Sequence, residues 1–294
     1  MNTFINWLGS SFAPKVAKAM DKKIIRTLSG ALMANVPILL LGSIISIYNL
    51  LAGYVSFLPD LSPVYNFSFG IMSLTLVFLV GYHGAKEYGF KEYGVSTGLI
   101  ALMMFFMVIK PSIADFQFQV AFGRFGGSGM ISAFFAGIVT IVISNLYFKL
   151  HLFEDSVSLP DFLIRWLNQV IPGIIVLVLT TILIYWCNID LFELITKLFS
   201  PLISIGQTYP GFMLCIFIPV FFYSFGINSW FMNPITSPIG LAGITANAAA
   251  FEQGLQPTNI YTSNVTFSVI FIGGMGMTLA LNIMMLKSRS KRIR

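Results

Sequence analysis

The chain has 294 residues, of which 56% are hydrophobic and only 10% are charged, and its mean hydropathy is +0.84. These values lie far outside the range of soluble globular domains and indicate an integral membrane protein. The net charge of +6 comes from Lys and Arg residues that lie between apolar segments. Such residues typically set the orientation of membrane helices, so nucleic acid is not an expected partner.

The N-terminal segment, residues 1–26, combines five basic side chains with apolar ones that include Phe4, Trp7 and Leu8. This pattern predicts an amphipathic helix on the cytoplasmic surface of the membrane that leads into the first span.

Five charge-free stretches follow, each near the roughly 20 apolar residues that one helix needs to cross a bilayer. They cover residues 27–59, 61–85, 93–109, 125–148 and 166–189. We therefore expect five membrane helices, with a kink at Pro37 in the first of them.

The basic residues of the loops predict the orientation of these helices. With the N-terminus inside, the inner loops carry Lys86, Lys91, Lys149 and Arg165, and the outer loops carry Lys110, Arg124 and Lys197. The bias places the N-terminus in the cytoplasm, and the final run KSRSKRIR is expected there too.

Both termini lie on one side only if the number of crossings is even. Five helices and two further spans, near residues 212–225 and 260–286, give an odd number. Residues 230–250 are therefore expected either to cross as a second, broken helix or to form a re-entrant hairpin.

Two segments have the pattern of short amphipathic helices. In residues 158–173 apolar side chains recur at intervals of three and four, which predicts a cytoplasmic surface helix that runs into the fifth span. Residues 191–202 have a similar pattern, with Glu193 and Lys197 in the favourable i to i+4 order. This second helix is expected to lie flat between the two halves of the chain.

A polar, interrupted stretch, Pro219 to Gly243, lies near the middle of a charge-free run from Leu198 to Phe251. Interrupted backbone at membrane depth is tolerated only where it is buried in protein or lines a wet cavity. A sugar, which is uncharged and rich in hydroxyls, is bound by amides, hydroxyls and an aromatic ring in a mostly apolar cleft. The candidate sugar-binding residues are Asn228, Ser229, Trp230, Asn233, Thr236 and Ser237. The alternative is that these groups satisfy one another where the helix is interrupted.

The sequence contains no phosphate-binding loop, no paired carboxylates and no Cys or His spacing typical of a metal site. No catalytic residue, cofactor or metal is therefore expected.

Several motifs follow one another along the chain: GALMANVPILLLGS, GGSGMISAFFAGIV, SLPDFLIRWLNQVIPG, FFYSFGINSW, and TFSVIFIGGMGMTLALNIMML followed by KSRSKR. They are spread along the chain from Gly30 to Arg292. Their residues and order resemble the membrane subunit EIIC of the lactose, cellobiose and chitobiose branch of the bacterial sugar phosphotransferase system.

The resemblance implies an all-α polytopic protein of the bacterial inner membrane, an EIIC-type helical bundle with a broken or re-entrant helix in its sugar-binding half. It implies four parts. These are the amphipathic lead (1–26), a five-helix interface domain that dimerises (27–189), an interfacial helix (190–209) and the first part of a sugar-binding transport domain (210–294).

The resemblance also implies a homodimeric permease subunit that binds and translocates a sugar, with a beta-linked disaccharide such as cellobiose as the family's central tendency. A phosphocysteine on a separate EIIB partner would phosphorylate the sugar on the cytoplasmic side. EIIB would itself be charged through EIIA, HPr and phosphoenolpyruvate. The chain would then be the membrane subunit of a sugar phosphotransferase that carries no phosphoryl group of its own.

Two features depart from the family pattern. The family commonly reads Gly-Ile-His-Gly, with the histidine near the sugar, whereas this chain reads Gly226, Ile227, Asn228, Ser229. Asn donates and accepts hydrogen bonds but does not titrate, so sugar binding is expected to persist without acid–base chemistry at this position. The family also continues into an Asn-Glu-Pro motif beyond Arg294, which implies a truncated or split EIIC.

Two alternative functions follow from the same features. One is a secondary sugar carrier of similar architecture, and the other is a non-transporting remnant that docks EIIB.

Overall fold

The structure is a computed structural model that describes residues 10, 14–15, 18, 21–53, 55, 57–114, 117–153, 160–224, 232–271 and 279–286. Most of the predicted N-terminal surface helix lies outside these residues. The chain divides into a larger unit, Asp21–Ser200, and a smaller unit, formed by Pro201–Arg294 together with Met1–Met20.

The larger unit is a bundle of long apolar helices. Its helices are α1 (Lys23–Ala52), α2 (Ser62–Asn66), α3 (Met72–Tyr88), α4 (Gly94–Val108), α5 (Met130–Phe148) and α6 (Asp161–Thr181), which continues as a π-helix over Ile182–Trp186. Five segments are long and apolar enough to cross a membrane: Lys23–Asn49, Ser62–Tyr88, Lys91–Val108, Gly127–Phe148 and Asp161–Trp186. The five predicted membrane helices are confirmed, and Pro37 lies inside the first of them.

Helix α6 unites two segments that the sequence predicted separately. The amphipathic stretch at residues 158–173 and the fifth span form one helix that begins at Asp161 and contains Pro172. A membrane helix tolerates such a proline because neighbouring groups satisfy the backbone carbonyl that it leaves without a partner. The predicted helix that runs into the fifth span is therefore confirmed from Asp161 onward. Whether its first turns lie at the membrane surface stays a prediction.

A two-stranded antiparallel hairpin follows α4 and was not predicted. Strand β1 covers Ser112–Ala114 and β2 covers Gln117–Gln119, with Ser112 opposite Gln119. Strands of three residues are too short for an alternating pattern to appear in the sequence.

Close helix approach forms the core of the larger unit. A Cβ atom added to Gly81 of α3 would lie 2.8 Å from the Cα of Gly98 in α4. Small residues allow such contacts, which supply the van der Waals energy that associates membrane helices. The core around this contact contains Val77, Ala101, Met104, Phe105, Val108, Ala133, Ala136 and Val176.

The second amphipathic helix, predicted at residues 191–202, is confirmed: it is helix α7, Leu191–Gly206. Leu191, Phe192 and Ile195 are buried in the core of the larger unit. The predicted i to i+4 pair is present, with the Lys197 ammonium 3.5 Å from a Glu193 carboxylate oxygen. Whether the helix lies flat on the membrane stays a prediction.

Arg124 joins three parts of the larger unit. Its Nη1 donates a hydrogen bond of 2.6 Å to the carbonyl oxygen of Ile109, at the end of α4. Its guanidinium lies 4.5 Å from the ring centroid of Phe192 in α7. The cation therefore satisfies a helix C-terminal carbonyl and holds the start of α7.

The smaller unit contains α8 (Tyr209–Ser224), α9 (Asn233–Glu252), α10 (Ser263–Val265), which continues as a π-helix over Thr266–Ile270, and α11 (Leu279–Leu286). Helices α7 and α8 meet at 87°, so this pair is either one broken span or a re-entrant element. Helix α9 is a single helix with Pro238 inside it. Whether α9 crosses the membrane fully or re-enters stays a prediction.

The connecting segment, residues 255–262, forms neither helix nor strand. The helix that was expected to begin near Ile260 begins instead at Ser263, after Thr262, whose hydroxyl accepts a 3.3 Å hydrogen bond from the Val265 N–H. The sequence placed the start too early because the apolar run does not reveal this N-cap.

Candidate functional site

The predicted sugar-binding residues divide into two groups. Asn228, Ser229 and Trp230 lie outside the described residues. The other three lie at the start of α9, where Asn233 is the first residue and Thr236 and Ser237 follow at i+3 and i+4. Residues with this spacing share one face of a helix, so the structure brings these three together.

Thr236 is held by contacts within the protein. Its side chain is buried, and its hydroxyl donates a 3.1 Å hydrogen bond to the carbonyl oxygen of Met232. The hydroxyls of Thr236 and Thr266 also lie near the buried Tyr261 side chain. These contacts favour a supporting role for Thr236, whereas Asn233 and Ser237 are half-buried at the same end of α9.

Gln207, which follows α7, fixes the connecting segment with its side-chain amide. The Tyr261 N–H donates a 2.8 Å hydrogen bond to Gln207 Oε1, and Gln207 Nε2 donates a 2.9 Å hydrogen bond to the Tyr261 carbonyl oxygen. The same Nε2 lies 3.3 Å from the carbonyl oxygen of Ile239 in α9. One amide therefore joins the connecting segment to the helix that carries the candidate site.

A second amide repeats this arrangement two residues earlier in the connecting segment. Asn247 of α9 donates a 2.9 Å hydrogen bond from Nδ2 to the Asn259 carbonyl oxygen. Its Oδ1 accepts hydrogen bonds from the Asn259 N–H at 3.0 Å and from the Asn259 side chain at 3.1 Å. The connecting segment forms no regular secondary structure, and two side chains pair the backbone groups of Asn259 and Tyr261.

Two glycines of α9 make the close contact between this helix and the connecting segment possible. A Cβ atom at Gly243 would lie 2.5 Å from the Tyr261 carbonyl oxygen, and one at Gly240 would lie 2.6 Å from the Ser263 hydroxyl oxygen. Such distances are too short for any real Cβ atom, so only glycine lets the connecting segment lie against α9.

Sequence reasoning missed Gln207, Asn247, Asn259 and Tyr261 as parts of this region. A signal was present, because an amide in a long charge-free run needs hydrogen-bond partners when it is removed from water. The amides of Gln207 and Asn247 both lie in such a run, between Leu198 and Phe251.

The chemistry of the region is that of a neutral polar site. No charged residue occurs between Leu198 and Phe251, and within the described part of the chain no group of three His, Cys, Asp or Glu residues could hold a metal ion. Amides and hydroxyls can hydrogen-bond an uncharged, hydroxyl-rich ligand.

Five helices long and apolar enough to cross a bilayer define a multi-pass membrane protein. The family model described as "Phosphotransferase system, EIIC" matches residues 29–294. The chain belongs to this family, and it is a sugar-specific permease subunit of the phosphotransferase system.

Curated relatives agree with this assignment. The chain is 26% identical to the cellobiose-specific EIIC component of Geobacillus stearothermophilus, in an alignment that covers 100% of this chain and 72% of the relative. It is 25% identical, with the same coverage, to the putative permease IIC component YwbA of Bacillus subtilis strain 168. It is 24% identical to the lactose-specific EIICB component of Staphylococcus haemolyticus, of which it spans 53%.

A solved structure has the same fold. The crystal structure of the transporter ChbC, the IIC component of the N,N'-diacetylchitobiose-specific phosphotransferase system, superposes with a TM-score of 0.81. The match covers 98% of this chain and 73% of that chain at 22% identity. The predicted EIIC-type helical fold is confirmed, and so is the predicted lactose, cellobiose and chitobiose branch of the family. Within the described ranges, the hairpin β1–β2 is the one departure from an all-α description.

Proposed function

We propose that this EIIC binds and translocates a neutral beta-linked disaccharide such as cellobiose, which a separate EIIB then phosphorylates at the cytoplasmic face. The observation that carries the proposal is the uncharged polar face at the start of α9, in a chain that matches the EIIC family over residues 29–294. Cellobiose-specific and lactose-specific relatives support a disaccharide as the ligand.

The proposed contacts follow from the chemistry of the side chains. Asn228, Ser229, Asn233 and Ser237 would hydrogen-bond the sugar hydroxyls, and the Trp230 ring would cover an apolar face of the sugar. Thr236 would support this face through its contacts with Met232 and Tyr261. The connecting segment and its two amides would hold α9 in place.

The larger unit is proposed to form the interface of a homodimer, with both termini in the cytoplasm. The basic residues at the ends of its helices support this orientation. Helix α1 also exposes Leu40, Ile44, Ile47 and Leu51, an apolar stripe that would contact lipid or a second copy of the chain.

Transport distinguishes the proposed function from its alternatives. Membrane vesicles that contain this chain would be loaded with phosphoenolpyruvate, enzyme I, HPr, EIIA and EIIB and given radiolabelled cellobiose. We expect the label to accumulate as sugar phosphate and only when phosphoenolpyruvate is present. Accumulation of free sugar under a proton gradient would identify a secondary carrier, and EIIB binding without uptake or sugar dependence would identify a docking subunit.

A further inference from the structure

The larger unit contains a cavity of about 530 Å³ at one end of its helix bundle. Its lining comes from the start of α1, the end of α3, the turn before α4, the end of α5 and the start of α6. Five elements therefore converge on a site that is far in sequence from the candidate sugar-binding residues.

The inner wall of the cavity is aromatic and preformed. The Phe148 ring stacks on Phe90 and Tyr93, with centroid distances of 4.7 and 4.9 Å. The Tyr147 hydroxyl donates a 2.9 Å hydrogen bond to Asn168 Oδ1, and Asn168 Nδ2 donates a 3.3 Å hydrogen bond to the Tyr93 hydroxyl. These contacts hold the Asn168 amide at the cavity wall.

The rim carries three basic side chains from three helices or helix ends: Lys23, Lys149 and Arg165. Two carboxylates, Glu92 and Asp161, also line it. Among the described residues, Lys149 and Arg165 form no ion pair within 4.0 Å. Among the described lining residues the basic side chains outnumber the carboxylates by three to two, so together they attract an anion.

The basic residues of this rim lie beside side chains that face lipid. Leu146 and Leu150 of the α5 end flank Lys149 in sequence, and Phe162 and Trp166 flank Arg165; all four are exposed. Exposed apolar side chains at the end of a membrane helix contact acyl chains, and Trp is typical of the membrane interface. This continuity favours the phosphate of a phospholipid over a soluble anion.

We propose that this cavity binds the phosphate group of an anionic phospholipid. Lys149 and Arg165 form charge-assisted hydrogen bonds with the phosphate oxygens. The side-chain amides of Asn145 and Asn168, which line the cavity, hydrogen-bond the rest of the headgroup, and the acyl chains lie along Phe162 and Trp166. Basic pockets between membrane helices bind anionic headgroups in this way.

Fluorescence quenching tests the proposal directly. In a variant with Trp7, Trp186 and Trp230 replaced by Phe, Trp166 is the remaining tryptophan and reports on lipid at the cavity mouth. The purified protein in mixed micelles would be titrated with brominated phosphatidylglycerol and, separately, with brominated phosphatidylcholine. We expect half-maximal quenching at a clearly lower mole fraction of the anionic lipid.

Charge variants distinguish lipid binding in this cavity from nonspecific electrostatic attraction between the anionic lipid and the protein surface. Lys149→Gln with Arg165→Gln should raise the half-maximal mole fraction of phosphatidylglycerol about 25-fold, since each basic group contributes about fivefold. Glu92→Gln should lower the half-maximal mole fraction of phosphatidylglycerol. A loss of folding would not produce tighter binding, so it cannot explain this result. The matched control is Lys86→Gln with Lys91→Gln, which removes the same charge from the same predicted membrane side but does not alter the cavity lining.

Three results would overturn the proposal. The first is equal quenching by the two lipids, and the second is an equal shift in the double variant and its control. The third is that inorganic phosphate reduces the quenching while the protein shows no preference between the two lipids. This result would identify a site for free phosphate instead.

Discussion

The side-chain amide of Gln207 forms both a donor and an acceptor hydrogen bond with the backbone of Tyr261, at 2.9 and 2.8 Å. In a β-sheet, the backbone of a neighbouring strand supplies such a pair of bonds. Here one side chain supplies both bonds. Gln207 therefore fixes the position of the connecting segment against α9.

Replacement of Gln207 by Leu should destabilise the smaller unit. The change removes both hydrogen bonds and leaves the N–H and C=O of Tyr261 without these partners, at a cost of about 1–3 kcal/mol. The measurement is the free energy of unfolding from denaturant titration in detergent micelles. Gln256→Leu is the matched control, because Gln256 is exposed in the same segment. Equal effects of the two substitutions would show that the Gln207 amide does not hold the segment.

Replacement of Arg124 by Met should destabilise the larger unit by about 2–3 kcal/mol. The change removes a charge-assisted hydrogen bond to Ile109 and the contact with the Phe192 ring. Lys197→Met serves as the control on the same predicted side of the membrane. Its partner lies at 3.5 Å and both side chains are mostly exposed, so its loss should change the free energy of unfolding by less than about 0.5 kcal/mol. A stability unchanged by Arg124→Met would contradict the role assigned to this guanidinium.

Replacement of Asn228 by Ala should weaken sugar binding by about 1–3 kcal/mol, the cost of one buried polar partner left unsatisfied. This corresponds to a roughly 5- to 150-fold higher Kd for cellobiose, measured by isothermal titration calorimetry. Asn66→Ala, at an exposed position of α2, should leave the Kd unchanged. An unaltered Kd in a folded Asn228→Ala protein would assign Asn228 a structural role.

Replacement of Thr236 by Val should lower stability more than it lowers sugar affinity. Thr245→Val is the matched control, because Thr245 lies in the same helix and its hydroxyl also bonds the carbonyl four residues earlier, at 3.0 Å. The Thr236 change additionally removes the contact with Tyr261, so it should cost about 1 kcal/mol more. A tenfold loss of sugar affinity at unchanged stability would instead place Thr236 in direct contact with the sugar.

The sequence predicted the membrane helices well because uninterrupted apolar length is a strong, local signal. The amphipathic pattern of residues 158–173 changes near Pro172, and the helix continues through that residue into the fifth span, as predicted. The hairpin at Ser112–Ala114 and Gln117–Gln119 left no periodic trace.

The support of the candidate site was beyond sequence reasoning for a different reason. The bonds of Gln207 to Tyr261 and of Asn247 to Asn259 join a side chain to a backbone, and such pairs follow no spacing rule. The polar composition around Asn233 and Ser237 could be recognised, and so could the amides in the charge-free run, but the backbone groups that these amides bond could not.

A strand in a sheet is hydrogen-bonded to its neighbour along its whole length, so the remaining bonds hold it in place when one bond is lost. The connecting segment is attached through Asn259 and Tyr261, two positions on alternate residues. Rotation of the Gln207 and Asn247 side chains would therefore break these bonds without unwinding any helix. Local opening of the smaller unit should begin there, and the backbone amides of these two residues should exchange with solvent together.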